Sequence, residues 1–275
     1  MNVPIKTAHL FPVLDKALID LLSSLSPEEW TKRTRAKLWS VKDIASHLLD
    51  GNIRTLSMSR DHHFAEKPST INSYKDLVNY LNELNADWVK ATRRLSPEVL
   101  ISLLEITGVQ YCEHIKTLDP FAPAIFSVSW AGEETSLNWF HIAREYTEKW
   151  HHQQQIREAV GKPGISSQEL YFPVLDTFMR ALPHAYRNTT AKDESAVKVS
   201  VIGETAGDWY VKRINDTWRL DSQVLTVTTH ITIDQDVAWK LFTKGLSSTE
   251  AHNLIRIEGD QELAQPVISM VTVMA

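Results

Sequence analysis

The chain has 275 residues, 43% of them hydrophobic, a net charge of −5 and one cysteine. That length and apolar content suit two packed domains and exclude an extensively disordered chain. The charges are mixed, with no long Lys/Arg run, which excludes a nucleic-acid footprint; Cys112 alone supplies neither an internal disulfide nor a cysteine-based zinc site. No apolar run approaches the roughly 20 residues that cross a bilayer. The N-terminus reads as an amphipathic helix, not a signal peptide, so a soluble cytoplasmic protein in a reducing compartment is expected.

Helical spacing runs to about residue 187. Leu10, Val13, Leu14, Ala17, Leu18, Leu21 and Leu22 form one stripe and predict a first helix. "LWSVKDIASHLLDGNIR" predicts a second, with Ser40 as N-cap and Asp43 completing a capping box. "SYKDLVNYLNELNADWVKATRRL" predicts a third, and Ser96 followed by Pro97 opens a fourth. After the loop "LDPFAPAIFSVSWAGEETS", a long helix is expected from about Leu137 to Val160, stopped by Gly161 and Pro163. "SSQELYFPVLDTFMRALPHAYR" predicts a further helix with a kink at Pro173. The polar, aperiodic segment 188–196 reads as a linker. Beyond it the period becomes two: "VKVSVIG", "DWYVKRI", "TWRL", "VLTVTTHITI" and "NLIRIEGD" predict strands, with a tight turn at "ND". "DQDVAWKLFTKG" predicts a short helix capped by Asp234 or Asp236, and "QELAQPVISMVTVM" a terminal helix in spite of Pro266. The expected architecture is multidomain: an all-α domain over 1–187 and a small α+β domain over 196–275.

The long helix carries the chemistry. His141, Glu145, Glu148 and His152 stand at offsets of 0, 4, 7 and 11, within about 20° of one line on an α-helix. Glu148 and His152, one turn apart, can reach a common ion. Such pairs also occur on solvated faces, so a site needs a third ligand from another helix. His47 is the candidate: Ile44, Ala45, Leu48 and Leu49 flank it, and a buried neutral imidazole needs partners on both nitrogens. Imidazole with carboxylate suits zinc, with nickel, iron and manganese as the alternatives. Adjacent residues on a helix point about 100° apart, so His62 and His63 read as a polar helix end, and His151 does not pair with Glu148. His114, His184, His230 and His252 lack partner spacing, and Cys112 reads as a small buried residue.

"WSVKDIASHLLDG" followed by "REYTEKWHHQQQIREAVG" resembles the metal-binding domain of the mycothiol-dependent maleylpyruvate isomerases, within the wider DinB-like superfamily. Arg144, Glu148, Trp150, His152, Gln154, Ala159 and Gly161 fall in step with the family's motif. "SWAG", Ser129 to Gly132, resembles its Trp-containing loop. "GDWYVKRINDTWRL" and "IRIEGDQELAQPVI" resemble its sterol-carrier-like C-terminal domain. The resemblance implies a four-helix bundle, the metal ligands His47, Glu148 and His152 with open positions, and cofactor contacts at Trp130 and Gln154. Gln153 and Gln155 depart from the family's Gly and Asp; at Gln155 an acceptor-only carboxylate has become an amide that also donates.

The activity so implied is cis–trans isomerisation of a small electrophile such as maleylpyruvate, by addition and elimination of a low-molecular-weight thiol, mycothiol or another. Arg144 can hold a substrate carboxylate, or pair with Glu145 or Glu148; Glu145 or His141 can move protons. The alternatives are a DinB-like thiol S-transferase, a metal-dependent hydrolase (His-Glu-x-x-His is absent), and a non-enzymatic binder that holds an apolar ligand among Trp209, Trp218 and Trp239. Neither nucleic acid nor membrane is an expected partner, and the chain is expected to be a monomer or homodimer.

Overall fold

Serine hydroxyls start the helices where local sequence places them. In the computed structural model, which describes residues 2–64, 71–222 and 224–273, Ser40 accepts from the Asp43 amide while Asp43 reaches back to the Ser40 amide, opening α3 (Val41–Thr55). Ser73 caps α4 (Tyr74–Thr92), and Ser96, with Pro97 behind it, caps α5 (Pro97–Thr117). These join α1 (Phe11–Ser23), a short α2 (Pro27–Thr31) and the long α6 (Asn138–Val160), which ends at Gly161 with φ of +68°, a left-handed cap glycine adopts without strain. α2 is not among the expected helices, although Ser26 and Glu29 form the same capping box.

Contacts divide the chain into two compact units: residues 2–126 with 136–165, and residues 127–135 with 166–273. In the first, α1, α3, α5 and α6 make a four-helix bundle, with α4 against α3. Its core holds Leu18, Leu21, Leu22, Trp30, Ile44, Leu48, Leu100, Leu104 and Ile156. Val13, placed on the apolar stripe by its spacing, is instead 49% exposed.

Polar bonds fasten α6 to α1. Lys149 Nζ donates to Asp15 Oδ1 at 3.0 Å and to Asn52 Oδ1 at 2.6 Å, and lies 4.4 Å from the centre of the Tyr111 ring. One turn on, Gln153 Nε2 donates to the Leu14 carbonyl (3.1 Å); a further turn on, Arg157 Nη2 donates to the Ala17 carbonyl (3.0 Å). A buried ammonium is tolerated because acceptors surround it.

The second unit is a five-stranded mixed sheet with helices. β1 (Ala196–Ile202), β2 (Gly207–Ile214), β3 (Thr217–Leu220), β4 (Thr229–Asp234) and β5 (Ile255–Gly259) lie in the order β3-β2-β1-β4-β5, with β1 and β4 parallel and the other pairs antiparallel. Asn215 and Asp216 both have positive φ, 48° and 62°, which gives the β2–β3 hairpin the turn expected at "ND". Asp234 caps α9 (Gln235–Phe242). Trp209, Trp218 and Trp239 are all buried; the Trp209 indole donates to Asp176 and that of Trp218 to the Thr189 carbonyl, as core tryptophans do.

Three expectations change. The helix expected over 166–187 divides into α7 (Gln168–Met179), which contains Pro173, and α8 (Leu182–Ala185). The strand expected over "VLTVTTHITI" is confined to β4. The terminal helix shrinks, after the short α10 (Ser248–His252), to a 3₁₀ turn at Glu262–Ala264 and α11 (Gln265–Ile268); beyond it the Thr272 amide and hydroxyl both donate to the Phe242 carbonyl, and Met274 lies outside the described residues.

The contact division falls at Ile165 and Ser166, because α7 and α8 bond to the sheet unit: Tyr171 Oη donates to the Gln235 carbonyl and Tyr186 Oη to that of Leu263. A domain boundary at 188–196 stands as a proposal with this rival. Residues Gly161, Lys162, Pro163 and Gly164 are all exposed, whereas Arg213 and Trp218 bond to Thr189 and the Asn215 amide to Asp193. A broad-specificity protease at low dose, read by mass spectrometry, is expected to cut first within 161–166. First cutting within 188–196 would favour domains of 1–187 and 196–275, and first cutting inside α6 would contradict both.

Candidate metal centre

α3 and α6 bring together the three residues singled out as ligands. A donor atom from each of His47, Glu148 and His152 lies within 4.8 Å of the others. His152 Nε2 is 3.6 Å from Glu148 Oε2 across one helical turn. The rings of His47 and His152 meet edge to face, centres 4.7 Å apart, and the Trp39 ring lies 4.9 Å from the first and 6.1 Å from the second. Trp39 precedes the Ser40 cap, so the turn that starts α3 also seats an indole over the site. Sequence reasoning assigned Trp39 no role; its place beside the capping serine is the available signal.

The electrostatics suit a cation. Burial, with the neighbouring His152 and Arg54, holds the His47 imidazole well below its ordinary pKa, so it is neutral, as a ligand must be. Burial opposes ionisation of Glu148, but His152 beside it, with His151 and Arg144 nearby, outweighs burial and keeps the carboxyl well below the usual carboxylate range. His47 Nδ1 is buried without a hydrogen-bond partner. An unmatched buried imidazole nitrogen costs free energy unless something binds it, so the donor set fits a divalent ion. Among the described residues, no other group of three His, Cys, Asp or Glu side chains converges in this way.

His151, discarded as a ligand by its angle, lies outside the three-residue group but packs on it. Its ring centre is 3.9 Å from that of His152, and its Nδ1 donates to the Thr147 carbonyl at 2.9 Å. Burial and His152 lower its pKa to about 4.

The upper stripe forms its own cluster. Arg144 Nη2 donates to His141 Nδ1 (2.9 Å) and pairs with Glu145 Oε1 (2.7 Å), while Tyr111 Oη donates to Glu145 Oε2 (3.4 Å). Because guanidinium only donates, His141 Nδ1 must accept, and its ring proton sits on Nε2. Burial, then Arg144, lowers the His141 pKa to about 4. At neutral pH His141 thus offers an N–H donor, and its Nδ1 is occupied. Arg144 Nε is buried without a hydrogen-bond partner.

The other sequence candidates have contacts of their own. The Gln154 side-chain oxygen accepts from the Ile165 amide (3.1 Å), and Trp150 Nε1 donates to the Ile165 carbonyl (2.9 Å), so together they clamp the chain leaving α6. Trp130 is buried on a 3₁₀ turn at Ser129–Ala131, in the unit that contains the sheet. His62 and His63 are exposed beyond the π-helical turn Leu56–Arg60, and His114 Nε2 bonds to Ser59. Cys112 is buried, its thiol pushed up to about 12 by burial and Asp15, which removes it as a nucleophile.

The family described as Mycothiol maleylpyruvate isomerase N-terminal domain matches residues 11–157. Two solved structures, of the mycothiol-dependent maleylpyruvate isomerase and of an alanine-for-histidine mutant of it, superpose with a TM-score of 0.53 over 88% of each chain. Identity is 9%, so this likeness shows the fold. No curated protein matches the chain. Among the described residues, no helix is long and apolar enough to cross a membrane.

Proposed function

The chain belongs to the family of the mycothiol maleylpyruvate isomerase N-terminal domain, and from that premise we propose that it is a metal-dependent, thiol-dependent isomerase of a small unsaturated acid such as maleylpyruvate. The observation that carries the proposal is the convergence of His47, Glu148 and His152. Bound metal and thiol would together supply reversible addition of sulfur to the cis double bond, rotation while that bond is single, and elimination to the trans isomer. Two neutral imidazoles and one carboxylate leave a divalent ion with one net positive charge, which favours an anionic further ligand.

The chain's own residues hold and orient the substrate. Arg144 stands one turn before Glu148 with Nε unengaged, and suits a substrate carboxylate as acceptor. Glu145 and His141 both hold its Nη2. His141, neutral with Nε2–H, serves as a hydrogen-bond donor; Glu145 is the carboxylate in this cluster that can accept a proton. Trp39 shields the histidines from water. Trp130 and Gln154 are proposed as thiol contacts through the family motif. Zinc is the proposed metal, and a reducing cytoplasm the proposed location.

The test uses full-length protein in metal-loaded and chelator-stripped forms. Glutathione, mycothiol, bacillithiol and cysteine are titrated by calorimetry, and maleylpyruvate turnover is followed with and without each. Turnover is expected to need both metal and a thiol, and thiol binding to need metal. Equal binding of every thiol to both forms would overturn the proposal. Metal-dependent thiol binding without isomerisation would move the reading to an S-transferase.

A further inference from the structure

The run "QQQ" at 153–155 gives three identical side chains three different partners. Gln153 bonds to the Leu14 carbonyl on α1 and Gln154 to the Ile165 amide; Gln155 turns toward the histidine, its Oε1 3.0 Å from His152 Nδ1. We infer that Gln155 is a positioning residue that fixes the ring tautomer of His152 and leaves Nε2 open to a cation. The inference rests on the metal reading above.

A carboxamide oxygen only accepts, so the bond from Nδ1 to Oε1 requires the proton on Nδ1, and the Nε2 lone pair then lies on the side of Glu148, 3.6 Å away. Without the amide oxygen, the Glu148 carboxylate is the strong acceptor beside this ring. The proton would move to Nε2 and bond to Glu148, and two donors of the site would engage each other instead of a metal. Gln155 is 4% exposed and His152 is 7% exposed, so water cannot readily take over the role. An amide is also a weaker acceptor than a carboxylate. It orients the ring while adding no charge, which leaves a bound ion more electron-poor than a carboxylate partner would.

The test is made on the full chain, with Gln155→Leu, Gln155→Glu and, should the leucine variant fold poorly, Gln155→Met. Ring nitrogen shifts of histidine-labelled, metal-free protein report the tautomer, chelator competition gives zinc affinity, and thermal melts of the metal-free form check folding. The parent is expected to carry Nδ1–H on His152. The leucine or methionine variant should lose that signature and bind zinc about 10- to 100-fold more weakly at unchanged melting temperature. Gln155→Glu should bind at least as tightly as the parent. Unchanged affinity without the amide, an Nε2–H tautomer in the parent, or a glutamate variant as weak as the leucine variant would overturn the inference alone. A parent that binds no zinc would overturn the metal reading together with it.

Discussion

Replacing His47, Glu148 or His152 singly by alanine is expected to weaken metal binding by at least about 100-fold, beyond what loss of a supporting hydrogen bond costs. Each residue supplies one of three converging donors, and no second such group of three converges among the described residues. The variants should remain folded. His47 is flanked by a well-packed α3, and α6 is held to α1 by Lys149, Gln153 and Arg157, none of them a ligand. Elemental analysis of protein purified without added metal, with circular dichroism alongside, reads the outcome. Full occupancy in His47→Ala would remove that residue from the site.

Acid is expected to destabilise the metal-free protein, with His141 contributing up to about 3 kcal/mol between pH 6.5 and pH 4. Its pKa is lowered from 6.5 to about 4, chiefly by burial and then by Arg144. Below pH 6.5 the unfolded chain therefore takes up a proton that the folded chain refuses. The stability is fully present above 6.5, falls as the pH drops toward 4, and is lost below that. The shift of about 2.5 units, at 1.36 kcal/mol per unit, sets the ceiling. Urea melts at pH 7, 5.5 and 4.5 on the parent and on His141→Gln provide the check, since glutamine can still accept from Arg144 but does not titrate. A variant whose stability falls in parallel with the parent's would show that His141 is not the group responsible.

The parts of the site legible in the sequence are those encoded locally. Ser40 and Asp43 announce α3, Gly161 announces the end of α6, and a histidine among Ile44, Ala45, Leu48 and Leu49 is conspicuous. Glu148 and His152 share a face by spacing alone. What was not legible depends on distances between helices: the Trp39 ring over both histidines, Tyr111 on Glu145, and the different partners of Gln153, Gln154 and Gln155. α6 resists an amphipathic reading because it is polar on two faces, one toward the candidate ligands and one toward α1. At the C-terminal end, α11 stops at Ile268, because β-branched Val271, Thr272 and Val273 are poor helix formers and Thr272 bonds to the Phe242 carbonyl.

That second polar face of α6 has a bearing on how such a protein would acquire its ion. In small zinc modules the ion creates the fold, so synthesis and metal supply are coupled. Here the bonds of Lys149, Gln153 and Arg157 to α1 hold the donor helix in place without help from His47, Glu148 or His152. Folding and any metallation would then be separate events. The ion carried in a cell would then follow which divalent metal is abundant and exchangeable after synthesis, and a period of metal scarcity would leave an intact, reloadable chain instead of a degraded one.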